Sequence, residues 1–127
     1  MTNERSAKIT IGGLDYELIL TTKATKEIAK RYGGLEDLGE KLMKAENFEM
    51  ALDEIVWLIT LLANQSIYIH NRLNEEKKEL LTEDDVELLT SPVEMATFKD
   101  AIMEAMFKGT KRYIESEETE IKNEVVE

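Results

Sequence analysis

Apolar and polar residues alternate one for one in the first part of the chain, in AKITI and again in LDYELIL, on either side of Gly12-Gly13. Folding the two runs back on the glycine pair sets Ile11 beside Leu14, Ile9 beside Tyr16 and Ala7 beside Leu18 on one face. Thr10 with Asp15 and Lys8 with Glu17 occupy the other. A period of two around a two-residue loop that accepts positive φ predicts a β-hairpin over residues 7–20. Two strands with one apolar face are only marginally stable in water. Ile9, Ile11, Tyr16, Leu18 and Leu20 therefore need cover from later helices or from another copy of the chain.

Beyond residue 20 the period changes to that of helices. Thr21 or Thr22 can cap a helix over 22–32 with Ala24, Ile28 and Tyr32 four apart, and Gly33 suits the left-handed position after its end. A second helix is predicted over 35–45, with Leu35, Leu38 and Leu42 as its stripe and Gly39 as a weak point. Asn47 is a good cap for the longest helix, 47–73, whose middle IVWLITLLA is apolar almost all round. Such a helix is the one the others wrap. Its polar line holds Glu49, Asp53, Thr60, Asn64 and Asn71; Trp57 and Tyr68 fall on the same line, which predicts rings against a neighbour and polar atoms in water. After the charged connector NEEKKELLTEDD, Thr82 and Asp85 form a capping box for a short turn over 82–89. Ser91, Pro92 and Glu94 then open a last helix over 91–108 that Gly109 should stop. Met95, Phe98, Ile102 and Met106 line one face of it, and Met103 and Phe107 widen that face.

The predicted fold is thus α+β and mostly helical, an N-terminal two-stranded β-hairpin packed on a bundle of four to five α-helices. It makes a single domain over 1–109, followed by an acidic tail, 110–127, too poor in apolar residues to pack firmly. The unpaired hairpin edges and the wide apolar last helix predict a homo-oligomer.

Charge narrows the partners. Against 16 Lys and Arg stand 27 Asp and Glu, a formal net charge of −11. That balance opposes a role in neutralising phosphates, so no nucleic-acid partner is expected. It suits a solvated surface, or an acidic companion for a basic or aggregation-prone protein. No cysteine is present, which removes disulfides, thiolate metal sites and thiol nucleophiles. The opening MTNERSAK has no signal-peptide character, and no apolar run is long enough to span a bilayer, so a soluble cytoplasmic protein is expected.

Reaction chemistry finds little to use. His70 is the only histidine, without a second imidazole for zinc or relay, and reads as a surface or helix-end residue. The acidic neighbours Glu75-Glu76, Glu83-Asp84-Asp85 and Glu117-Glu118 point in different directions on a helix, whereas paired catalytic carboxylates face one cleft. TEDDVE lacks the alternating ligands and glycine of an EF-hand loop. The GG doublets match neither dinucleotide nor phosphate loops, and no serine sits in a GxSxG elbow. The expectation is a non-enzyme with no cofactor and no metal. Surface for binding is what remains, and the methionine-rich last helix is the strongest candidate, since thioethers adapt to imperfect partners. Trp57, Tyr68, Met103, Met106 and Phe107 are the candidate partner-binding residues.

One resemblance gives this reading a context. Ile9, Ile11, Gly13, Tyr16 and Leu18, then Tyr32-Gly33-Gly34-Leu35, then the apolar helix Ile55 to Leu62, resemble the tail assembly chaperones of long-tailed siphophages and prophages of Gram-positive bacteria. The resemblance implies a mostly helical, acidic, non-enzymatic protein of the host cytoplasm. It would coat the phage tape measure protein, keep that protein's long apolar helices soluble and help tail-tube subunits assemble around it. It also implies a short form and a longer, frameshifted one. The alternative from another class is an acidic phage or mobile-element regulator, an antitoxin or anti-repressor that masks a basic partner.

Overall fold

The computed structural model describes residues 6–34, 37–38 and 48–126, with side chains described at 6–34, 37–38 and 51–110. The hairpin forms as the alternation predicts. Strand β1 (Ser6–Ile11) pairs antiparallel with β2 (Leu14–Ile19), with Ile11 opposite Leu14, Ile9 opposite Tyr16 and Lys8 opposite Glu17. Gly12 and Gly13 both have positive φ, 58° and 83°, the geometry of a type I′ turn that matches the twist of the flanking strands. Leu14 is the exception on the apolar face, 63% exposed although Ile11 opposite it is 1% exposed.

Four helices follow among the described residues: α1 (Thr22–Tyr32), α2 (Phe48–Leu73), α3 (Glu83–Leu89) and α4 (Met95–Val126). Thr21 caps α1 by accepting from Ala24 N at 3.0 Å, and Gly33 ends it in the left-handed region. The helix expected over 35–45 and the cap expected at Asn47 lie outside the described residues, apart from Asp37 and Leu38, which are helical. The Thr82–Asp85 capping box forms in both directions.

α2 is the central element, in contact with β2, α1, α3 and α4, and Leu58, Ile59, Leu62 and Ala63 are fully buried on it. α4 covers β1, and together the two helices supply the cover that the hairpin lacks alone. No helix among the described residues is long and apolar enough to cross a membrane.

Two expectations at the last helix are corrected. Ser91 stands at the cap position with Pro92 and Glu94 after it as expected, but its side chain makes no capping bond, and Pro92–Glu94 form a 3-10 turn from which α4 continues. Nor does Gly109 stop the helix: α4 runs through it to Val126, so the backbone of the segment expected to be a loose tail is helical. The reason for the glycine is clearance. A Cβ at residue 109 would stand 2.9 Å from Leu20 Cδ2 and 3.0 Å from Leu20 Cβ, so any larger residue there would have to displace the Leu20 side chain just after β2.

The connector between α2 and α3 is held by side chains. Asn64 Nδ2 donates to Leu81 O at 2.8 Å while Leu81 N donates to Asn64 Oδ1 at 2.7 Å. One step along, Asn71 Nδ2 donates to Lys78 O at 3.1 Å while Lys78 N donates to Asn71 Oδ1 at 2.8 Å. Each amide satisfies one donor and one acceptor of the passing chain, as a neighbouring strand would. The spacing fits: seven helical residues rise ~10.5 Å, and three extended residues cover ~10 Å.

Candidate functional site

The five residues chosen from sequence fall into three environments. Trp57 and Tyr68 lie on α2 in one groove of about 390 Å³ that Lys23 and Glu27 of α1 and Glu83 of α3 help to line. Thr21 organises its floor. While capping α1 it donates to the Oε1 of buried Gln65, whose Nε2 donates to Leu61 O at 3.2 Å, leaving no buried side-chain polar atom unpaired among the described residues.

Both aromatic rings of this groove already have companions. The Arg31 guanidinium sits 4.4 Å from the Trp57 ring centroid, and Tyr32 meets the same indole edge-on at 5.9 Å. Arg31 is held there by Glu54, to whose Oε2 its Nε donates at 3.2 Å and to which the Tyr32 hydroxyl also donates. Lys23 Nζ lies 4.7 Å from the centre of the Tyr68 ring. Cation–π contacts at partly exposed sites are worth ~0.5–1 kcal/mol each. Their effect here is to fasten α1 onto α2, and Trp57 acts first as that fastening. Trp57 is half-buried and Tyr68 38% exposed, so each ring is partly covered by a neighbour as expected.

Met103 and Phe107 occupy the second environment, one turn apart on the outer face of α4 and 36% and 63% exposed. Met106 occupies the third. It is 8% exposed and packed in the core with Phe98, Ile102 and Ala105, so its place among the partner-binding residues is corrected: it sits on the helix face turned to α2 and β1. The structure thus separates the groove residues on α2 from the α4 pair rather than joining them into one surface.

His70 is engaged in holding the connector. Its Nε2 stands 3.0 Å from Glu76 O and its Nδ1 3.2 Å from Asn74 Nδ2, so the tautomer with its hydrogen on Nε2 satisfies both contacts. Both ring nitrogens serve the turn after α2. No group of three or more His, Asp or Glu side chains among the described residues is placed to hold a metal ion.

Asn64 and Asn71 are what sequence reasoning missed. They were legible as polar residues seven apart on an apolar helix, a spacing that marks one face but not what crosses it. Comparison with protein-family models, with curated proteins and with solved structures returned no match.

Proposed function

We propose that this protein is a tail assembly chaperone of the long-tailed phage type, one that binds apolar stripes on the helices of a tape measure protein, keeps them soluble and assists tail-tube assembly. The observation that carries the reading is α4's second apolar side. Its inner face is spent on the core at Phe98, Ile102, Ala105 and Met106, yet Met103 and Phe107 stand exposed on the outer face. Large apolar side chains that adjoin on one exposed helix face give a partner area to bury, and contiguous patches of that kind mark interaction sites. Fully burying a side chain of that size against a partner stabilises the complex by ~1.5–3 kcal/mol. The net charge of −11 complements this, since a complex covered by it repels other copies of itself. The likeness in residues 9–62 to the chaperone family supplies the identity of the partner.

Co-expression tests the proposal. The long tail protein encoded beside this chain should move from the insoluble to the soluble fraction in its presence. Met103→Ser with Phe107→Ser should abolish that rescue while the chaperone itself stays folded. A tail protein equally insoluble with and without the chain would sink the chaperone reading and favour the acidic regulator.

A further inference from the structure

β2 has one edge in use and one open. In a hairpin closed by two positive-φ residues the flanking pair exchanges both backbone hydrogen bonds, so Leu14, Tyr16 and Leu18 turn their N–H and C=O groups towards β1. Asp15 and Glu17 turn theirs outward. Among the described residues no third strand meets them and no backbone group of another segment pairs with them.

That edge looks onto a groove of about 610 Å³, within the range of ligand sites. Leu14 to Glu17 form one wall of the groove and the pinned connector, Lys78 to Leu81, forms the other, with Ser66, Ile67 and His70 of α2 between them. Two extended segments therefore stand on either side of a trough. The far wall is held in place by the two asparagine clamps at Lys78 and Leu81.

We propose that this groove takes an extended peptide segment as a third strand on β2, with residues alternating between apolar and basic. An added strand makes its main-chain bonds to Asp15 and Glu17, and its side chains alternate between the two faces of the sheet. One row falls beside Leu14 and Tyr16 and is apolar. The other falls beside the carboxylates of Asp15 and Glu17, with Glu79 and Asp85 also on the groove, and is basic. The chain answers β2 in the same way on its other edge, where Lys8 stands opposite Glu17 and Ile9 opposite Tyr16. This inference stands apart from the chaperone reading, which concerns helices and the face of α4.

A short acetylated, amidated peptide alternating valine and lysine is the probe, titrated into the full chain while amide hydrogen exchange is followed residue by residue. Binding should slow exchange at the Asp15 and Glu17 amides by about tenfold or more. The double substitution Asp15→Asn with Glu17→Gln should weaken it by about tenfold, and a valine–glutamate peptide should not bind. Failure of the valine–lysine peptide to bind at millimolar concentration overturns the proposal, as does binding that leaves those two amides unprotected or that the valine–glutamate peptide matches. Tighter binding of a basic amphipathic helical peptide, without protection at Asp15 and Glu17, also overturns it.

Discussion

The seam between α1 and α2 and the outer face of α4 both display large, polarisable side chains, and at the seam cations of α1 cover the rings. Trp57 has a guanidinium over its face and a phenol ring at its edge, and Tyr68 has an ammonium over its own. Met103 and Phe107 stand exposed one turn apart. Partial exposure alone does not separate these cases, because Tyr68 and Met103 are almost equally exposed, at 38% and 36%. What separates them is the cation: Lys23 stands over the Tyr68 ring, whereas Met103 has the 63% exposed Phe107 one turn away. A ring under its own chain's cation contributes to the fold; the exposed thioether and phenyl ring of α4 are, on the proposed function, surface for a partner.

Substitutions can break or sharpen that contrast. Trp57→Ala should have the largest effect, a loss of about 2–4 kcal/mol in chemical denaturation, because it removes both a half-buried ring and the seat of Arg31. Asn64→Ala comes next at about 1–3 kcal/mol, since it strands the N–H and C=O of buried Leu81; faster amide exchange at Leu81 should accompany it. Arg31→Ala should cost only about 0.5–1 kcal/mol, as its ion pair and its ring contact are both partly exposed. Met103→Ser and Phe107→Ser should each leave stability within about 0.5 kcal/mol of the parent chain. A loss of several kcal/mol at Phe107 would mean that the outer face of α4 belongs to the fold after all, and the contrast would collapse.

The hairpin was legible residue by residue because strand register has only two phases, and the glycine pair selected one. The caps at Thr21 and Thr82 were legible because they are local, each a side chain answering an amide three residues on. Gly33 and Gly109 show where that locality ends. Both follow an apolar periodic run, but only Gly33 has positive φ, at 96°. Gly109 is helical and answers to Leu20, 89 positions earlier in the chain, which no window of neighbouring residues contains. Met106 was misplaced for a related reason. An apolar stripe wider than one contact face leaves its inner and outer members undistinguished until the packing of α2 and β1 divides them. The paired exchange of hydrogen bonds at Asn64 and Asn71 also belongs to tertiary structure, since it requires knowing that residues 78–81 turn back along α2.

That return gives the chain a built-in ruler, with consequences for how its length can change. Between the clamps, three extended residues are measured against two turns of helix, so an inserted or deleted residue there would put one asparagine opposite the wrong backbone groups. It would also present the core with a neighbour of Leu81 instead of Leu81. Between Leu73 and Lys77 the residues are exposed, and the bonds from His70 to Asn74 and Glu76 are surface bonds. A change of length there disturbs no buried side chain, and doubling the length of a loop costs only ~0.6 kcal/mol. Length variation among natural variants of this protein should therefore concentrate before Lys78 and stop there.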